Sequence, residues 1–251
     1  MSFNVRGFTT PVDGRHRWSR RAAVNVATVR AQAPDLLGVQ ELQRAALATY
    51  RRELADHGLV LGPAAGTRGR PEHNAILYAP DRLELLEHGG FWLSATPDVP
   101  SASWGTRNRR AVTWARFAVR GTDATVRHVN VHLDHWSALA REEGTRLLLR
   151  RLADPTPTVV TGDFNCPPGS PPYRALLAHG YTDTARRDEE TFHGFGKVRA
   201  AAVRRFHGGP LRLDWILAGP GGWDVEDSWI VRDTLASDHD PVIAELRLSG
   251  A

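Results

Sequence analysis

Thr158-Val159-Val160-Thr161-Gly162-Asp163-Phe164-Asn165 runs from four β-branched residues, through a glycine, into an acid, an aromatic and an amide. A short β-branched run of this kind bounded by glycine reads as a buried strand, and the acid then sits in the turn at its end. The flanks fix the context. Ser137 to Leu152 carries a helical pattern ahead of the strand, and Pro172 to His179 carries a shorter one behind it.

Further upstream the alternation continues. Ser2 to Arg6 reads as a strand, and Trp18-Ser19 opens a helix with Ser19 as its expected N-cap and Ala22, Val26, Val29 and Ala33 on one face, ended by Pro34. Leu36 to Gln40 is an expected buried strand leading to Glu41. Gln43 to Asp56 is an expected helix with Leu47, Tyr50 and Leu54 facing inward, closed by His57-Gly58. The middle reads as β-rich, over Ala75 to Tyr78, Leu83 to Leu93, Val112 to Val119 and Ala124 to Leu133. Strands at Leu213 to Leu217, Val225 to Val231 and Val242 to Leu248 complete the chain. This is an α/β order with mixed sheets. The 251 residues, 41% of them apolar, show neither linker nor repeat and are read as one domain over residues 1–251.

Charge and cysteine usage narrow the function. The formal charge of +4 comes mainly from arginine, a bidentate partner for phosphate, although many arginines fall on expected helix surfaces. The lone Cys166 excludes an internal disulfide framework and a cysteine metal cage, so any metal must be held by oxygen and nitrogen. No apolar run reaches membrane-spanning length, and no basic start precedes an apolar stretch. The expected compartment is the cytoplasm, with secretion as the alternative if residues preceding Met1 were removed. A monomer is expected.

The polar residues gather at strand ends. Asn4 and Glu41 end the first two strands, His132 and Asp134 end a third, and Asp163 and Asn165 follow a fourth. Asp214 interrupts an apolar run, and Ser237-Asp238-His239-Asp240 precedes the last strand. A carboxylate in an apolar run is costly to bury alone, so Glu41 and Asp214 need a cation or a partner that shares a proton. His135 should point away from His132 and Asp134 by strand alternation and is read as a structural hydrogen bonder. Asp240 is read as a turn residue, and Cys166 as a small packing residue.

Ser-Phe-Asn-Val-Arg at Ser2 to Arg6, Gly-Val-Gln-Glu at Gly38 to Glu41, Val-His-Leu-Asp-His at Val131 to His135, Gly-Asp-Phe-Asn at Gly162 to Asn165, Leu-Asp-Trp-Ile at Leu213 to Ile216, and the final Ser-Asp-His-Asp-Pro-Val together resemble the ordered motifs of the endonuclease/exonuclease/phosphatase superfamily. The resemblance covers nearly the whole chain. It implies a four-layered α/β sandwich, two mixed sheets face to face with helices outside, and a phosphoesterase site at one edge of the sheets. It implies Mg²⁺ as cofactor, with Mn²⁺ as a substitute, held by Glu41, Asn4 and Asp238. Asp163 would orient or deprotonate the attacking water, and Asn165 would hold that water and a phosphate oxygen. His239, steadied by Asp214, would contact the scissile phosphate, while His132 would bind a phosphate oxygen or protonate the leaving group.

The implied activity is hydrolysis of a phosphodiester, with a phosphomonoesterase on a sugar or inositol phosphate as the alternative and a non-catalytic phosphate-binding module behind both. A zinc hydrolase built on His132 and His135 lacks the expected His-Glu-x-x-His helix. The partner is a phosphorylated substrate, nucleic acid or small molecule. Two basic segments with aromatics would contact it: Trp104 to Arg110, with Arg107, Asn108 and Arg110, and Thr191 to Phe195, with His193, followed by Lys197, Arg199, Arg204 and Arg205. Such segments suit a nucleic acid strand, a phosphorylated sugar or a lipid head group, and equally suit solvated loops.

Overall fold

Two mixed sheets lie face to face, and their strand order explains why distant motifs meet. The computed structural model describes residues 1–7, 11–67, 69–208, 210–220, 222–232 and 234–249. The first sheet contains β1 (Ser2–Asn4), β2 (Leu36–Leu42), β3 (Gly58–Leu61), β4 (Ala65–Thr67), β5 (Arg70–Tyr78), β12 (Trp223–Ile230) and β13 (Val242–Leu248), ordered β12-β13-β1-β2-β5-β3 with β4 on β5. The second contains β6 (Leu83–Trp92), β7 (Ala111–Val119), β8 (Thr125–His132), β9 (Thr158–Asp163), β10 (Thr182–Asp183) and β11 (Asp214–Ala218), ordered β10-β11-β9-β8-β7-β6.

Helices cover the outer faces. Trp18, Val26 and Val29 of α1 (Trp18–Gln32) and Ala46 and Tyr50 of α2 (Arg44–Glu53) pack with Phe3, Val39 and Leu77 of the first sheet. Leu147 and Leu148 of α3 (Ala138–Arg151) and Leu176 of α4 (Pro171–Ala178) pack with Val129, Val160 and Trp215 of the second. Between the sheets, Val60, Ile76, Phe117 and Val126 form one apolar patch. Beside it, Gln40 Nε2 donates to Asn130 Oδ1 at 2.7 Å, and Asn130 Nδ2 donates to the Val39 and Ala75 carbonyls at 2.8 Å each. A buried amide satisfied on both ends fixes the relative register of two sheets that apolar packing alone would let slide.

Register then places the site. β1 runs parallel to β2, and β8 parallel to β9, so Asn4, Glu41, His132 and Asp163 all fall at carboxyl ends. β11 and β13 run antiparallel to β9 and β1, so their amino ends, with Asp214 and the Asp238-His239 turn, reach the same edge. His132 and Asp214 both pair with Asp163 across the second sheet.

Several expected elements are corrected. Ser19 lies inside α1; the cap position is Arg17, which makes no side-chain cap, because Trp18 already has helical geometry and is buried. Ala33 ends that helix in the left-handed region at φ 40°, as the residue ahead of Pro34 is pushed out of the α region. The second helix stops at Glu53, before Asp56, because Leu54 is already out of helical geometry and the chain re-enters the sheet at Gly58. β5 starts five residues before the expected Ala75, at Arg70, where pairing with β4 outweighs a polar sequence. The segment after Phe195, read as a basic loop, contains α5 (Lys197–His207). The Lys197 and Arg199 side chains named with that segment lie outside the described residues.

Candidate active site

The edge of the sandwich opens into a cavity of about 610 Å³ with an ionic floor. Glu41, Asp163, Asn165, His132, Asp238 and His239 line it, together with Arg6, Glu72 and Arg110. Three floor residues hold left-handed backbone although none is glycine: Arg6 at φ 46°, Glu41 at φ 58° and Asn165 at φ 50°. Such residues each cost on the order of 1–3 kcal/mol and collect where surrounding structure forces them. At Glu41 the β2–β5 pairing breaks register between Val39 and Leu42, and the bulge turns the carboxylate into the cavity. The Gly7 amide donates to the Glu41 carbonyl at 3.1 Å, and a β-carbon on Gly7 would lie only 2.1 Å from that oxygen.

Asn4 joins the two sheets at this edge. Its Nδ2 donates to Glu41 Oε1 at 3.2 Å and to Asp163 Oδ2 at 2.9 Å, and its Oδ1 accepts from the Arg6 amide at 3.0 Å. Asp163 Oδ1 accepts from the Asn165 amide at 2.9 Å, while Asn165 Nδ2 donates to the Leu133 carbonyl at 3.1 Å. Asp163 is thus held from both sides, and Oδ2 lies 3.5 Å from His132 Nε2 and 3.8 Å from His239 Nε2. Burial, reinforced by Asp214, pushes the Asp163 carboxyl up to about 7, against the pull of the nearby His239.

The two imidazoles are held in opposite states. His239 Nδ1 donates to Asp214 Oδ2 at 2.8 Å, and Thr191 Oγ1 donates to the same oxygen at 2.6 Å. Burial would lower His239, but Asp214 and Asp163 outweigh it and raise it to about 10, so the ring is an imidazolium. His132 is the reverse case. Burial lowers it well below the usual histidine range, and Arg110, His135 and His239 add to that. Arg110 Nη1 donates to His132 Nδ1 at 3.0 Å, which leaves the proton of the neutral ring on Nε2, facing Asp163.

Arg110 organises one wall. It also bonds Glu72 Oε1 at 3.1 Å and donates through Nη2 to His135 Nδ1 at 2.9 Å, with Asp134 Oδ2 at 3.7 Å from Nε. Burial pushes Glu72 up to about 7 against the opposing charge of Arg110. His135 therefore lines the cavity and does not point away from His132: β8 ends at His132, and strand alternation no longer applies three residues on. Asp240 is more than a turn residue, since it is buried and pairs with Arg232 Nη1 at 2.9 Å.

The substrate-contact candidates divide. Asn108 and Arg110 line the cavity. Arg107 instead places its guanidinium 5.5 Å from the Trp136 ring centroid, and His193 Nε2 lies 3.7 Å from Asp240 Oδ1, behind the floor. Arg204 pairs with Glu190 at 2.6 Å. Sequence reasoning missed Arg6, Glu72, Trp136 and Phe206, and it placed Thr191 in a substrate-contact segment where the structure puts it on Asp214. The Arg6 signal was available in Ser2 to Arg6; Phe206 gave none, because only the fold brings it to the cavity.

The donor set suits a hard cation. Glu41 and Asp238 offer carboxylate oxygens beside Asn4, with Asp163 near, and oxygen donors of this kind are those that a hard cation takes. Asp163, Asp214 and His239 also have ligand atoms within 4.8 Å of one another. That trio is not read as a metal cage, because its protonated ring already donates to Asp214 and has no lone pair to offer.

Two mixed sheets that deliver buried carboxylates, an imidazolium and a neutral imidazole to one edge define a hydrolase of phosphoesters. The chain belongs to the endonuclease/exonuclease/phosphatase family, whose sequence profile matches residues 1–239, and divalent-metal binding is typical of that family. An endonuclease/exonuclease/phosphatase protein of Bacteroides vulgatus has a similar structure, with a TM-score of 0.86 and 27% identity over 99% of this chain and 97% of that one. A mannosyl-6-phosphatase of Bacteroides thetaiotaomicron superposes with a TM-score of 0.82 and 25% identity over 98% of each chain. An uncharacterized protein of Acanthamoeba polyphaga mimivirus is 25% identical over 97% of both chains. No helix among the described residues is long and apolar enough to cross a membrane.

Proposed function

We propose that this chain is a Mg²⁺-dependent hydrolase of a compact phosphoester, a small-molecule monoester before a diester. The observation that carries the catalytic reading is the position of Asp163 Oδ2, 3.5 Å from a neutral His132 and 3.8 Å from a cationic His239. A base so flanked takes a proton from water while both rings donate toward the phosphate that the water attacks.

Glu41, Asn4 and Asp238 are the residues that would hold the cation, which when bound neutralises phosphate charge and makes phosphorus more electrophilic. Asp163 accepts the water proton, and Asn165 fixes the geometry of that carboxylate through its amide. His239 presents positive charge to the phosphate oxygens, kept protonated by Asp214. His132 acts as a neutral donor through Nε2, which favours phosphate binding, and the His239 imidazolium is the proton source for the leaving oxygen as its bond to phosphorus breaks.

The preference for a compact ester reverses the order expected from sequence. The cavity of about 610 Å³ is the size of a small-molecule site, and two of its wall arginines are engaged with acids, Arg6 with Asp13 and Asp238 and Arg110 with Glu72. The likeness to a mannosyl-6-phosphatase supports the same order.

The test is turnover of a panel of sugar phosphates, a nitrophenyl phosphodiester and oligonucleotides with Mg²⁺. Asp163→Ala and His239→Ala should each lower kcat by about 10³-fold or more, and chelator should silence the enzyme until Mg²⁺ is restored. Full activity in chelator, or in both variants, would overturn the mechanism. Turnover of diesters alone would reverse the substrate order.

A further inference from the structure

Facing the ionic floor, the same cavity has an aromatic wall that the chemistry at Asp163 does not use. Trp136, in the turn between β8 and α3, and Phe206, on α5, stack with ring centroids 5.4 Å apart and an interplanar angle of 27°. Both line the cavity, yet Trp136 keeps 56% and Phe206 53% of its surface exposed. Two large rings gathered from elements far apart in sequence, each more than half exposed, give this wall an apolar face on the side of the cavity.

The surroundings say what kind. Trp136 follows His135, which Arg110 ties to His132, so the aromatic wall is continuous with the phosphate-facing floor. Arg107 lies 5.5 Å from the Trp136 ring centroid and braces it. The pair also borders a second cavity of about 500 Å³ under the turn from Pro167 to Pro172, so Trp136 and Phe206 form a partition between two spaces. A nucleic acid strand would require a track of cations leading away from the floor. Among the described residues the cavity lining instead sets Arg6, Arg70, Arg110 and His239 against Glu41, Glu72, Asp163 and Asp238.

We infer that Trp136 and Phe206 are the platform for the leaving group of the substrate, and that this group is a neutral ring of the carbohydrate kind. The inference rests on the phosphoesterase reading above. The phosphate would sit on the floor and the apolar face of the ring against the aromatic pair. Arg107 would be a positioning residue acting through Trp136.

The experiment compares a hexose phosphate with glycerol phosphate, two monoesters of a primary alcohol that differ in the ring. Trp136→Ala and Phe206→Ala should each lower kcat/KM on the hexose phosphate about tenfold, mostly through KM, and change glycerol phosphate by less than about twofold. Trp136→Phe should keep most of the hexose activity. Equal losses on both esters, or none on either, would overturn the platform.

A binding measurement separates this from the catalytic reading. On an Asp163→Ala background with Mg²⁺, calorimetry should show the hexose phosphate bound about tenfold tighter than inorganic phosphate, with the difference erased by Trp136→Ala. No such preference, or tighter binding of an oligonucleotide than of the hexose phosphate, sinks the platform. A ring preference present in the Asp163→Ala background while the unsubstituted enzyme hydrolyses neither ester with Mg²⁺ upholds the platform and sinks the phosphoesterase reading instead.

Discussion

Replacing Asp214 by asparagine tests the charge at the centre of the site with little change of shape. Asp214 Oδ2 accepts from both His239 Nδ1 and Thr191 Oγ1, while Oδ1 is buried without a protein partner. An asparagine oxygen in the Oδ2 position keeps both hydrogen bonds, and its NH₂ occupies the place of the orphan oxygen. What disappears is the negative charge. Raising a histidine from 6.5 to about 10 corresponds to about 5 kcal/mol in favour of the imidazolium. Of the groups that raise it, Asp214 comes first and Asp163 second, both opposing burial. Without Asp214, burial should prevail and His239 should be largely neutral at pH 7. The sign follows for the rate. Activity that needs a protonated His239 falls as pH rises through about 10 in the native enzyme, and in Asp214→Asn that falling limb should move down to neutrality or below. At about pH 8 the variant should lose on the order of 100-fold in kcat/KM. The assay is a pH–rate profile on one monoester, with the His239 ring titrated by NMR. An alkaline limb that stays near pH 10 would refute the argument that Asp214 sets the charge of His239.

Two further outcomes follow from burial. Asp163 has its folded carboxyl raised from 3.8 to about 7, so its ionisation penalises the fold above that pH and not below 3.8. Asp163→Asn, measured in chelator, should therefore raise Tm at about pH 8 and leave it unchanged at about pH 3.5, and a lowered Tm at the higher pH would contradict this. Trp215 is fully buried and stacks on Phe164 with centroids 4.2 Å apart, directly beneath the Asp163–Asn165 turn. Trp215→Ala should cost about 3–5 kcal/mol in denaturant unfolding, and a loss below about 1 kcal/mol would show that the site does not depend on this stack.

Most of the fold was legible because its signals are local. The β-branched run at Thr158 to Thr161 and the apolar run at Leu36 to Gln40 allow few readings other than strands, and an acid one or two residues after each marks the approach of a strand end. The missing elements lack such signals. β3 and β4 are held by pairing with β5, and α5 follows a glycine with no side-chain cap and has no acid in its first turn, so no local start signal outweighed a loop reading.

The site divides along the same physical line. Glu41, Asp163, Asp214 and His239 were accessible to sequence reasoning because a charged group in or beside an apolar run needs an explanation wherever it occurs. Their states were not accessible, since those depend on neighbours supplied by other elements. The side chains of His132 and His239 are chemically identical, both are buried, and both lie within 4 Å of Asp163. Arg110, directly ahead of β7 in the same sheet, holds one ring neutral with its proton on Nε2; Asp214 and Thr191 hold the other as a cation. A sequence that fixes two histidines near an acid leaves open which of them carries charge. The strand register decides it, by delivering an arginine to one ring and a carboxylate to the other.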